Sequence, residues 1–131
     1  MEKVLISTTV DLTEGGCNSC GISKCTVYTL HFADYQLLID EMTVAAFVQG
    51  IALKHGWRQE MEMDLLGGDY LIFQKDGAEV TVKEEFQGTT YEKNGQKIVV
   101  PPQILSEAEV FAFTNQILPA MFDIAAVEFE M

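Results

Sequence analysis

The chain is short of positive charge. Its 131 residues carry 8 Lys and Arg against 20 Asp and Glu, a formal net charge of -12, with an isoelectric point near 4.3. Such a chain repels phosphate backbones and anionic lipid, which disfavours direct nucleic-acid binding and leaves another protein with a basic surface, or a metal cation, as the partner the charge suits. Plain solubilisation by the excess acid fits the same composition. Long hydrophobic runs are missing too. The most apolar stretch, Val44 to Leu53, is interrupted by Gln49 and Gly50 and falls far short of the roughly 20 residues that cross a bilayer. The first ten residues contain neither a long apolar core nor a small-residue cleavage site, so they do not read as a signal peptide. With three cysteines and no export signal, the expectation is a soluble, cytoplasmic protein whose thiols stay free or bind metal.

Catalytic signatures are equally scarce. Gly67-Gly68 is followed by neither a helix signal nor a lysine, so no phosphate loop is present. There is no His-Glu-x-x-His pattern and no nucleophile elbow, and His31 and His55 have no sequence-placed partners for a triad. These absences favour a non-enzymatic protein.

What is present is a cluster of all three cysteines within nine residues, Cys17-Asn18-Ser19-Cys20-Gly21-Ile22-Ser23-Lys24-Cys25. Two cysteines separated by two residues can point at one ion, and a glycine directly after the second tolerates the positive φ such a turn often needs. Cys17 and Cys20, with Cys25 as a third thiol, are therefore the candidate ligands of a structural zinc. The fourth ligand is missing. His31 follows Cys25 by six residues, roughly 20 Å in a strand rising about 3.3 Å per residue, too far for both to bind one ion at about 2.0–2.3 Å. His55, Asp11, Glu14 or a cysteine of a second subunit remain, although His55 also suits a helix C-terminus. Three states stay open: structural zinc, redox-active or disulfide-forming thiols, and ordinary free cysteines in a loop. An iron–sulfur cluster would want a fourth cysteine.

Around this segment the pattern is that of one α+β domain, residues 1–131, with an antiparallel sheet and two helices packed on one face. Alternation predicts strands from Lys3 to Val10 and from Thr26 to Phe32, with the cysteines at or near their connection. Asp34 is expected to cap a helix from Tyr35 to His55; Thr43 is a second possible cap, but it would require a tight turn at Ala33-Asp34 without glycine or asparagine. A meander follows, punctuated by Gly67-Gly68-Asp69, Asp76-Gly77 and Asn94-Gly95 and closed by Pro101-Pro102. Ser106 and Glu109 form a capping box for a second helix, with Pro119 limiting its length. Alternation from Ala125 to Met131 ends the chain in a strand. A ferredoxin-like sandwich with extra β-hairpins is one arrangement that fits this order.

One strand also offers a surface. Arg58, Glu60, Glu62 and Asp64 alternate with Gln59, Met61 and Met63, so the three acids share a face at about 6.6 Å intervals. That row could enter a basic groove in the manner of a phosphate backbone, or serve as a solvated sheet face with Arg58, Lys75 and Lys83 near enough to pair with it. The expected function is thus a small acidic protein-binding module of inhibitor, immunity or adaptor type, with Glu60, Glu62 and Asp64 as its contact surface. The alternative is a cysteine-dependent redox enzyme or metal carrier using Cys17 and Cys20.

Overall fold

β-branched and aromatic residues alternate with polar ones at both ends of the chain and throughout its middle, and strands dominate accordingly. The computed structural model describes residues 2–14, 22–39, 41–64 and 68–131, of which 11–14, 22–25, 63–64 and 68–69 are described by their backbone alone. In chain order the elements are β1 (Glu2–Glu14), β2 (Ile22–His31), β3 (Gln36–Ile39), α1 (Val44–Lys54), β4 (Arg58–Asp64), β5 (Gly68–Lys75), β6 (Ala78–Glu85), β7 (Gly88–Lys93), β8 (Gln96–Val100), α2 (Glu107–Phe122) and β9 (Val127–Glu130). The α+β class expected from the sequence holds, but the strands divide between two sheets where one was expected. The chain separates into two compact units, Met1–Met42 with Val127–Met131, and Thr43–Ala126.

The first unit is a four-stranded sheet in the order β3-β2-β1-β9. β1 and β2 form a long antiparallel hairpin with Ile6 opposite Leu30, and β9 runs parallel to β1 with Phe129 beside Val4. Alternation places Val4, Ile6 and Leu30 on one face, where all three are buried. β9 accompanies β1 only as far as Leu5, and β3 accompanies β2 only from Tyr28 to His31. Beyond those points, among the described residues, the two long strands pair only with each other, out to Glu14 opposite Ile22.

Within this unit the expected helix from Tyr35 is replaced by a strand. The chain turns at Ala33-Asp34, and Gln36–Ile39 runs back along β2 with Leu37 opposite Leu30. The turn closes through the Phe32 amide, which donates to the Tyr35 carbonyl at 2.8 Å, and the two rings lie 6.2 Å apart. Neither central residue adopts a positive φ. Glycine or asparagine is therefore not needed there, and the objection to the shorter helix fails.

The second unit begins where Thr43 caps α1, its Oγ1 accepting from the Ala46 amide at 3.2 Å. Its sheet is a sequential antiparallel meander, β4-β5-β6-β7-β8. Two of its turns are the expected left-handed pairs, Asp76-Gly77 with φ of 50° and 83° and Asn94-Gly95 with 51° and 82°, the geometry that matches strand twist in a two-residue hairpin. Both helices lie on one face. Phe122 of α2 meets Phe73 edge-on at 5.3 Å and Trp57 at 5.1 Å, while Phe47 of α1 stacks on Phe111 at 5.9 Å. Trp57 Nε1 also donates to the Phe122 carbonyl at 3.2 Å, which satisfies the indole in the core.

The capping box is present: Ser106 Oγ accepts from the Glu109 amide at 3.3 Å and the Glu109 carboxylate reaches back to the Ser106 amide at 3.4 Å. Pro119, expected to limit α2, lies inside it. In the last turn a proline forfeits one intrahelical bond without breaking the helix, and the stop comes at Asp123, whose φ is 53°, with the Ile124 amide donating to the Leu118 carbonyl at 3.1 Å. Among the described residues no helix is long and apolar enough to cross a membrane.

Candidate functional site

The cysteine segment is only partly within view. Cys17 and Cys20 lie outside the described residues, in the connection from Glu14 to Ile22. Cys25 stands in β2 opposite Asp11 of β1. Because β2 begins at Ile22 and continues unbroken to His31, Cys25 and His31 are separated by six residues of strand, and the distance argument against their sharing one ion applies. His55 is the C-terminal cap of α1. No group of three or more metal-ligating side chains assembles among the described residues.

The acidic row stands on β4, which is an edge strand. Glu60 faces Ile72 and Glu62 faces Tyr70 across the β5 ladder, and both glutamates are exposed. The backbone of Asp64 pairs with Gly68; its side chain lies outside the described residues. Two of the three cations expected beside the row are engaged elsewhere, while Arg58 stands exposed on the row's own face, two residues before Glu60. Lys83 lies over the Tyr70 ring at 5.2 Å from its centroid, and Lys75 Nζ donates to the His55 carbonyl at 2.5 Å, at the C-terminus of α1, where a cation meets the negative end of the helix dipole. Both start from β5 or β6 rather than from the row's own strand. Among the described residues neither Glu60 nor Glu62 forms a salt bridge.

On the opposite face of the same strand, Met61 is 67% exposed. It stands at a groove of about 290 Å³ lined by Ala45 and Gln49 of α1 and by Met61, Leu71 and Val82 on adjacent strands, with Tyr70, Glu84 and Thr89 also on its walls. The floor is set by register, since Leu71 pairs with both Met61 and Val82. Gln49 Nε2 donates to Gln59 Oε1 at 2.7 Å, which ties α1 to β4. Tyr91, opposite Val82, is buried beneath. Burial, and secondarily the Glu84 carboxylate, push its phenol well above the usual tyrosine range.

The first unit has its own polar chain. Ser7 Oγ and His31 Nε2 are 2.7 Å apart, and Gln36 Nε2 lies 3.2 Å from His31 Nδ1. With the Gln36 amide donating to Nδ1, the ring proton sits on Nε2 and is donated to Ser7. The order hydroxyl, imidazole, orienting group resembles a hydrolytic triad in outline, but a neutral amide at Nδ1 supplies no charge to stabilise an imidazolium. The arrangement ties β1, β2 and β3 together across one sheet face.

A family model described as a domain of unknown function, DUF4809, matches residues 1–131. The chain belongs to the DUF4809 family. No curated protein and no solved structure matches it.

Of the candidate residues read from the sequence, Glu60 and Glu62 come together on one exposed edge, and Cys25 is carried into a strand. The groove went unseen in the sequence. The alternation of β4 marks Met61 as inward-facing, but the groove exists because α1 covers Gln59 and leaves Met61 open, and no local pattern encodes where a helix stops covering a sheet.

Proposed function

We propose that this protein is a non-enzymatic binding module that engages a basic surface of another protein through the outer face of β4, with Glu60, Glu62 and Asp64 as the contact residues. The observation that carries this reading is the exposure of Glu60 and Glu62 on an edge strand, with Lys75 and Lys83 drawn to other acceptors. The net charge of -12 supports it by favouring encounter with a cationic partner.

Capture from the native cell with immobilised wild type, compared with the variant carrying Glu60→Lys, Glu62→Lys and Asp64→Lys, tests the surface. A partner of this face binds the variant at least about tenfold more weakly, a change of about 1.4 kcal/mol, and its affinity falls with salt as the Debye length shrinks from about 10 Å at 0.1 M to about 3 Å at 1 M. Unchanged partner affinity in a variant with a native circular dichroism spectrum rejects the interface. In the same reading the cysteine segment is a local structural element, held by zinc on Cys17, Cys20 and Cys25. Replacing Cys17 and Cys20 by serine then lowers stability but spares partner binding, whereas a redox enzyme or metal carrier would stay folded and lose its activity.

A further inference from the structure

We propose that the free edge of β4 accepts an extended segment of the partner as an additional strand, one in which basic and apolar residues alternate. This rests on the acidic-face reading and specifies how that face is engaged. β4 ends the five-stranded sheet and, among the described residues, pairs only with β5, so the backbone groups along its outer side are available to a new ladder. A strand laid there presents successive side chains to opposite faces. On one face they meet Glu60 and Glu62; on the other they meet Met61 and the apolar groove formed with Leu71, Val82 and Ala45. The i, i+2 spacing of the two glutamates, about 6.6 Å, is also the spacing of alternate residues on the added strand, so each carboxylate can meet one cation.

Two other occupants fit less well. A second copy of this chain on the same edge would bring Glu60 and Glu62 against their own counterparts, and like charges opposite each other destabilise a strand pair. A small molecule would leave the strand edge unused, and the groove, at about 290 Å³, sits at the bottom of the roughly 300–1,000 Å³ range of such pockets.

The test uses fluorescence anisotropy with labelled peptides matched to the seven residues of β4: one alternating lysine with leucine, one of the same composition in two blocks, and two alternating peptides N-methylated on every second residue in opposite phases. Strand addition predicts that the alternating peptide binds at least about tenfold more tightly than the block peptide, and that one N-methyl phase loses at least about tenfold while the other does not, because only one phase blocks the amides that face β4. Glu60→Lys with Glu62→Lys abolishes binding; reversing Glu128 and Glu130, exposed on β9, changes net charge equally and spares it. Equal binding of alternating and block peptides, or indifference to both N-methyl phases, overturns strand addition, and the acidic-face reading survives if the Glu60 and Glu62 reversals still abolish that binding. No binding by any peptide overturns strand addition, and partner capture with the Glu60, Glu62 and Asp64 reversal then judges the acidic face separately. Binding of an uncharged apolar molecule in the groove with no peptide bound also overturns the proposal.

Discussion

Gly88 opens β7 opposite Glu85 with φ of +133°, and its replacement by alanine probes a close backbone approach in the meander. A Cβ built there would stand 1.9 Å from the Val100 carbonyl oxygen, 2.9 Å from its carbon and 3.1 Å from Pro101 Cα. Real Cβ atoms essentially never come within 3.0 Å of such atoms, so the end of β8 must retreat by about 1 Å or more. Backbone strain of about 1–3 kcal/mol and overpacking of about 1–3 kcal/mol together predict a loss of roughly 2–6 kcal/mol. Gly77→Ala is the control. Its φ is +83° but nothing lies within 4 Å of the added carbon, leaving only the left-handed penalty of about 1–2 kcal/mol. Both variants share a positive-φ strain, so the difference between them is the overpacking of about 1–3 kcal/mol, and at a slope of about 2 kcal/mol per M urea denaturation should place the Gly88→Ala midpoint roughly 0.5–1.5 M below that of Gly77→Ala. Amide exchange should speed up at Thr89 and Val100, which pair across β7 and β8. Equal midpoints for the two variants would refute the contact, and with it the placement of Thr89 at the groove wall.

Three further outcomes are expected. Thr43→Ala should destabilise α1 by about 1 kcal/mol while Asp34→Ala leaves its helicity unchanged, as read by circular dichroism during denaturation; the reverse pattern would restore the longer helix. Tyr91 should withhold its phenolate absorbance at 295 nm until the chain unfolds. Since its folded pKa is raised above the unfolded value of about 10, the stability it contributes is complete below about pH 10 and is lost as pH rises toward the folded pKa; Glu84→Gln should recover only part of the shift, because burial is the larger cause. Elemental analysis of protein purified without added metal or chelator should find zinc near one equivalent, and less than about a tenth of an equivalent counts against a constitutive site on Cys17, Cys20 and Cys25.

How much could be read from residues alone follows from the range of the forces involved. Turn chemistry is local: Asp76-Gly77 and Asn94-Gly95 could be assigned because a two-residue hairpin needs residues that tolerate positive φ, and these do. The Ser106 and Glu109 capping box is local in the same sense. The exchange of a helix for β3 was not local. Gln36–Ile39 suits a helix or a strand by composition, and pairing with Tyr28–His31 selects the strand.

The sequence by itself determined the α+β class, most of the meander's strands and turns, the starts available to both helices and the acidity of one face of β4, because each depends on the period or backbone preference of neighbouring residues. Only the tertiary structure decided that the strands form two sheets, that β9 returns to lie beside β1 and that β4 stands at an edge with Met61 uncovered. Those features depend on which distant segments supply hydrogen-bond partners and apolar cover. The same row of Glu60 and Glu62 would be a mere solvated face inside a sheet; at an edge, beside an open groove, it is the surface proposed for another chain.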